Sequence, residues 1–179
     1  MIQHVLFTGE VGSGKSTALR RTLALLGMQT GGLETYSPEP RGVRPKRLLL
    51  RAYGSNEEGT LVCMIPGEDR SQVAPLFDML AVRLLEAAQR QDEVVVIDEI
   101  GRLERDAHAY HAALKACLDG EKPVLGVIRK QQAAWADWIR AREDVLLLEV
   151  TPDNRDALPQ MAAEQIRRSI AAPPDGVRA

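Results

Sequence analysis

The sequence predicts a three-layer α/β fold with a mostly parallel central sheet and an inserted antiparallel β-hairpin. Three observations support this. From about residue 107 onward, helical and extended patterns alternate, which packs parallel strands between two helical layers. Near the N-terminus, a short apolar run passes through a glycine-rich turn into a helical pattern. Between these regions, two extended runs flank Gly54-Ser55-Asn56, a turn signal that suits a hairpin.

In order along the chain, Val5-Leu6-Phe7 reads as the first strand. Leu19, Thr22, Leu23 and Leu26 then recur at helical spacing until Gly27, a C-terminal stop. Leu33 to Tyr36 and Arg47 to Tyr53 are extended, and Thr60 to Ile65 completes the hairpin after Gly59. A helix is expected from Ser71 to Arg90, with Val73, Leu76, Phe77, Leu80 and Leu84 as its buried stripe. Val94-Val95-Val96-Ile97 is wholly apolar and β-branched, as a central strand buried on both faces must be. There follow a helix from about Ala107 to Leu118, a strand from Pro123 to Ile128 and a helix from about Gln132 to Arg142. Val145 to Val150 is the last strand and Leu158 to Ile170 the last helix. Residues 1–171 therefore read as one domain, and the tail 172–179, with Pro173-Pro174 and Asp175-Gly176, as disordered.

Composition removes several classes of function. The 179 residues are 45 % hydrophobic and 27 % charged, ordinary for a globular domain able to bury a core. A formal net charge of −2 supplies no basic field for nucleic acid, and aromatic residues for base stacking are scarce. Cys63 and Cys117 form no C-x-x-C pair, so neither a disulfide framework nor a zinc site is expected. No apolar run is long enough for a membrane span, and a cytoplasmic location is the simplest expectation.

The chemistry begins at GEVGSGKST, comprising Gly9, Glu10, Val11, Gly12, Ser13, Gly14, Lys15, Ser16 and Thr17. It fits G-x-x-x-x-G-K-[ST], and it stands between a strand and a helix, the context the pattern requires. Glycines let the backbone turn its N–H groups inward, and the helix start and lysine ammonium then converge on one phosphate-sized anion. The strand at 94–97 ends in Asp98, which places a carboxylate at the sheet edge where α/β folds bind ligands. Ser16 and Asp98 offer hard oxygens to Mg²⁺, while Glu99 is positioned to orient and polarise an attacking water. The same stretch also spells D-x-x-G from Asp98 to Gly101, but the guanine-reading N-K-x-D is missing. Asn154-Arg155-Asp156 is the nearest approach, with its Asp at the wrong offset.

Four stretches in this order, GEVGSGKST, IDEIGRLE (97–104), KPVLGVIRK (122–130) and VTPDNRDALP (150–159), resemble the broad-specificity P-loop nucleoside-triphosphatase family. That family includes small thermophile NTPases and a human cancer-related NTPase. The resemblance implies an additional-strand P-loop fold akin to the RecA and AAA+ groups. It also implies Mg²⁺-dependent hydrolysis of NTP to NDP and phosphate with loose base preference, so ATP and GTP are the expected partners. Two stretches depart from the family pattern, MIPGEDRSQVAP (64–75) and Arg129-Lys130.

Other features are weighed against plainer readings. Arg129 follows a buried strand at the ligand edge, where it reaches the γ-phosphate or merely opens a surface loop. RGVRPKR (41–47) reads better as a solvated loop than as a docking patch. His108 and His111 lack a third ligand, and one of Trp135 and Trp138 is expected to pack on the core. Asn154, after the last strand, is a candidate base contact. Two rival functions stay open. One is a phosphotransferase with Arg129, Lys130, Arg140 and Arg142 as a basic lid; the other is a nucleotide-gated binding module with slow hydrolysis and an unknown protein partner.

Overall fold

Five parallel strands and an antiparallel hairpin form a seven-stranded sheet in the order β4-β3-β2-β5-β6-β1-β7. The computed structural model describes residues 1–67, 69–131 and 134–171, so the expected disorder of 172–179 and the helix start at Gln132 lie outside the described residues. The strands are β1 His4–Thr8, β2 Thr30–Tyr36, β3 Lys46–Ala52, β4 Thr60–Ile65, β5 Val94–Ile100, β6 Val124–Ile128 and β7 Val145–Glu149. β2, β5, β6, β1 and β7 run parallel, and β3 and β4 add an antiparallel hairpin beyond β2.

Strand side chains alternate between two cores. Val94 and Val96 join Val5, Phe7, Leu125 and Val127 beneath α1 (Lys15–Leu26) and α6 (Leu158–Ala171). On the opposite face, Val95 and Ile97 join Leu6, Val124 and Ile128 beneath α3 (Val82–Gln91) and α4 (His108–Asp119). Because β5 is covered on both sides, its sequence has no polar alternation. His4 fastens β1 from below: the Val124 amide donates to Nδ1 at 3.0 Å, and Nε2 donates to the Leu118 carbonyl at 3.0 Å. Burial is the largest influence on this imidazole and lowers its pKa, with Asp144 opposing. Among the described residues, no helix is long and apolar enough to cross a membrane.

Three elements depart from the sequence expectation. β2 begins at Thr30, three residues before the expected start at Leu33, so Gly31-Gly32 are strand residues. The cause is close approach: a Cβ on Gly32 would stand 1.9 Å from the Val96 carbonyl oxygen of β5. The long helix before β5 is split into α2 (Val73–Leu76), a wide π turn (Phe77–Ala81) and α3. Its buried residues are accordingly Val73, Phe77, Ala81, Leu85 and Ala88, and Leu76, Leu80 and Leu84 lie at the margin. The π turn also presents Asp78, whose Oδ1 accepts from the Tyr110 amide at 2.9 Å and so caps α4.

The helix expected to end at Arg142 is the shortest departure from plan. It is reduced to a 3₁₀ turn (Ala134–Ala136) and α5 (Asp137–Arg140). Both Trp135 and Trp138 pack against the core, and Trp135 Nε1 donates to the Gly101 carbonyl at 2.8 Å. Tertiary anchoring of two large side chains thus overrides local helix preference.

Candidate active site

β1 delivers the chain to the C-terminal edge of the sheet, and the loop from Gly9 to Gly14 turns it into α1. At Gly9, φ is +139° and an added Cβ would lie 2.6 Å from the Val150 carbonyl oxygen, so only glycine fits there. Lys15 Nζ donates to the carbonyls of Gly9 at 2.9 Å and Glu10 at 2.7 Å. Its ammonium is therefore folded onto the loop, aimed at the space the loop encloses. Desolvation is the largest influence on Lys15 and lowers its pKa; nearby Glu99 raises it and Arg129 lowers it further. Ser13 Oγ is buried without a hydrogen-bond partner among the described residues, the kind of orphan that an anion in the loop satisfies. The cleft over this loop has a volume of about 440 Å³ and reaches from Gly9 to Glu99, Arg129 and Lys130.

Asp98 faces α1, and the Ser16 hydroxyl donates to its Oδ1 at 2.9 Å. The carboxylate is only 7 % exposed, and burial pushes its pKa up to about 6, with the Ser16 bond lowering it and Glu99 raising it. Arg20 and Lys15 act on Asp98 only at a distance, and no ion pair to it forms among the described residues. The hydroxyl and carboxylate oxygens suit a hard divalent cation that keeps several waters and takes the rest of its ligands from a substrate. Among the described residues, no group of three or more His, Cys, Asp or Glu side chains gathers to hold a metal independently.

This burial has a measurable consequence. A carboxyl whose folded pKa lies above its unfolded value favours the folded state when protonated, and that stability is lost as pH rises from about 4 through about 6. The two-unit gap is worth about 2–3 kcal/mol. Asp98→Asn is expected to raise the melting temperature of the metal-free protein by several degrees at pH 7.5, and to leave it unchanged at pH 4. Thermal melts of both proteins at the two pH values check this. An equal shift at both would show that ionisation of Asp98 is not the cause.

Glu99 is placed by a break in the sheet. Asp98 pairs with Val127 and Ile100 with Ile128, so two residues of β5 oppose one of β6 and Glu99 is the extra one. A β-bulge of this kind re-aims a side chain at a functional edge. Because of it, Ile100 returns to the same core as Ile97. The Glu99 carboxylate forms an ion pair with Arg129, whose Nε donates to Oε1. Lys130 joins the Glu149 carboxylate at 2.6 Å and that of Glu10 at 3.3 Å, which ties the loop after β6 to the phosphate loop.

Behind this front row, Glu104 is 3 % exposed and accepts from the Gly101 amide at 2.6 Å. Burial pushes its pKa up to about 7, with the neighbouring Glu99 adding to the shift and Arg129 opposing it. His111 stacks on Trp135 at 4.0 Å and donates from Nε2 to the Glu104 carbonyl at 2.8 Å. These residues hold the turn that follows the bulge.

The cleft therefore gathers Gly9, Glu10, Val11, Gly12, Gly14, Lys15, Ser16, Thr17, Glu99 and Arg129 along its wall, with Asp98 beneath Ser16. Asn154 is not among them. Its Oδ1 accepts from the Thr151 amide and its Nδ2 donates to the Glu149 carbonyl, both at 2.8 Å, so it shapes the turn after β7. Arg142 is equally remote, spent on Asp119, Asp144 and the Leu118 carbonyl, and Arg140 holds Asp137 and the Arg129 carbonyl. One residue was missed by sequence reasoning. Arg41, from the loop before β3, lays its guanidinium against Gly12, where an added Cβ would meet Nη2 at 2.5 Å. No local pattern signals a cation brought 29 residues back onto the loop.

The chain is similar to proteins of one family. The model of a family described as NTPase matches residues 4–163. A nucleoside-triphosphatase THEP1 of Thermofilum pendens is 32 % identical over 179 residues, 94 % of this chain and 98 % of that protein. The protein of the same name from Thermotoga petrophila is 30 % identical over 86 % of this chain and 87 % of its own length. Among solved structures, THEP1 from the hyperthermophile Aquifex aeolicus aligns with a TM-score of 0.75 at 23 % identity, covering 93 % of this chain and all of that one. At that identity the likeness establishes the shared fold.

Proposed function

Because the chain belongs to the NTPase family whose model spans residues 4–163, we propose that it is a Mg²⁺-dependent nucleoside triphosphatase acting on ATP, GTP and other NTPs. The observation that carries this is the meeting of Lys15, the Ser16–Asp98 pair and the Glu99–Arg129 pair in one cleft at the sheet edge.

The roles follow from the geometry. Phosphate oxygens displace the Gly9 and Glu10 carbonyls from the Lys15 ammonium and take up the inward N–H groups of the loop. Ser16 and Asp98 would hold Mg²⁺, which neutralises charge on the phosphates when bound. The γ-phosphoryl oxygens compete with Glu99 for the Arg129 guanidinium. Once Arg129 turns to the phosphate, the freed carboxylate accepts a hydrogen bond from water and aims its oxygen at phosphorus. The new P–O bond forms as the bond to the bridging oxygen breaks, and NDP leaves with that electron pair. Arg41 adds a second cation over Gly12.

Base choice is expected to be weak, since no side chain of a guanine-reading motif is present and Asn154 is committed to its own turn. Phosphate release from ATP, GTP, CTP and UTP, each with and without Mg²⁺, tests the whole reading. Release from all four within about a hundredfold, roughly 2.7 kcal/mol, supports it. Release independent of Mg²⁺, or confined to one base, counts against it.

A further inference from the structure

A second cavity, of about 210 Å³, opens on the far side of Glu99 and Arg129 from the phosphate loop and shares both residues with the main cleft. Its walls are the C-terminal end of β2, the start of β3 and the turn after β5. Leu48, Ile65 and Phe77 form its apolar floor. Lys46 lines it half-buried, and its ammonium makes no hydrogen bond or ion pair among the described residues. A cation partly removed from water and left unpaired is costly unless an anion joins it. Arg102 adds a second positive group to the same wall, and Thr35 and Ser37 add hydroxyls. The volume lies below the roughly 300–1,000 Å³ of pockets that hold drug-sized ligands. A nucleoside is therefore too large, and a molecule of a few carbons fits.

We propose that this cavity is an acceptor site for a small hydroxylated anion, a hydroxy acid or polyol phosphate of three to five carbons, to which the γ-phosphoryl group is transferred. The inference rests on the nucleotide lying in the main cleft as described above. The anionic end pairs with Lys46, and the hydroxyl is directed at Glu99, the residue common to both compartments. The acceptor oxygen bonds to the γ-phosphorus as the bond to the β,γ-bridging oxygen breaks. The electron pair leaves with NDP, and the hydroxyl proton passes to the Glu99 carboxylate. Water hydrolysis is then the same displacement with the acceptor compartment empty. Of the four basic-lid residues, Arg129 and Lys130 line the main cleft whereas Arg142 is committed to Asp119 and Asp144; the acceptor compartment needs no such lid.

The test is incubation of the full chain with Mg²⁺ and γ-labelled ATP, alone and with glycerate, glycerol 3-phosphate or ribose 5-phosphate. Label is expected in a phosphate ester of at least one compound. The KM for that compound should rise at least tenfold in Lys46→Met and be largely restored in Lys46→Arg, with the KM for ATP unchanged. Label in inorganic phosphate alone with every compound overturns the proposal, even if a compound speeds release. Ester formation with an unaltered acceptor KM in Lys46→Met overturns it too. The acceptor-free control separates the two readings: silence there, with ester formed on adding acceptor, upholds the cavity and removes hydrolysis as the activity. Silence in every tube sinks both.

Discussion

Lys15→Ala is expected to abolish tight binding of Mg²⁺–ATP while leaving the fold intact. The ammonium contributes nothing to either core; it donates to the Gly9 and Glu10 carbonyls. Those carbonyls lie at the rim of the loop and turn to water when the side chain is removed, so the thermal midpoint should move little. Binding is another matter. On the proposed roles, triphosphate oxygens meet Lys15 together with the loop amides, and truncating one partner of a desolvated charge pair costs about 3–5 kcal/mol. That corresponds to a loss of about 10²–10⁴-fold in affinity. Calorimetric titration beside circular dichroism is the measurement, and unchanged affinity in a folded variant would remove the loop as the phosphate site.

Turnover should fall by about 10²-fold or more in Glu99→Gln, the usual scale for a positioned general base. The amide keeps the size of the carboxylate and lies on the same bulge, but it has no charge to draw a water proton. Ground-state binding should barely change, because on the proposed roles Lys15, the loop and the metal hold the phosphates. Affinity should if anything rise slightly, since Arg129 no longer has a carboxylate to leave. Asp98→Asn is the contrast: there nucleotide affinity and Mg²⁺ dependence should weaken together, because the hydrogen-bonded Ser16–Asp98 pair is the proposed source of the metal oxygens. Single-turnover hydrolysis and equilibrium binding on both variants separate the two roles. Hydrolysis at the wild-type rate by Glu99→Gln would show that the carboxylate only pins Arg129.

The parts of this site that were legible in the sequence are those written locally. A glycine turn between strand and helix, and a β-branched run ending in Asp98-Glu99, each carry their signal within ten residues. Strand and helix order followed for the same reason. The bulge at Glu99 was hidden because it is a mismatch of β5 against β6, and register belongs to the pair. Arg41 was read as solvated because nothing in its neighbours says that the loop folds back onto Gly12. The extended run was expected to start only at Leu33 because glycine carries little strand signal, and the close approach of Gly32 to Val96 is what places the two glycines inside β2. The wide turn at 77–81 escaped because a stripe at ordinary helical spacing can be drawn through the leucines 76, 80 and 84 just as well as through the residues that are buried.

That wide turn bears on length, a property distinct from composition. Buried positions at 73, 77, 81, 85 and 88 are separated by four, four, four and three residues, one more than a regular α-helix accommodates over that span. The surplus residue is Met79, which is 58 % exposed and touches neither core, whereas its neighbour Asp78 is held to α4. With Met79 absent, the intervals become four, three, four and three, the spacing of an uninterrupted helix, and every buried face keeps its direction. In-frame loss of a single codon is damaging almost anywhere else in a packed helix; at this one place the geometry leaves room for it, and the segment can shorten by a residue while the sheet above it keeps its register.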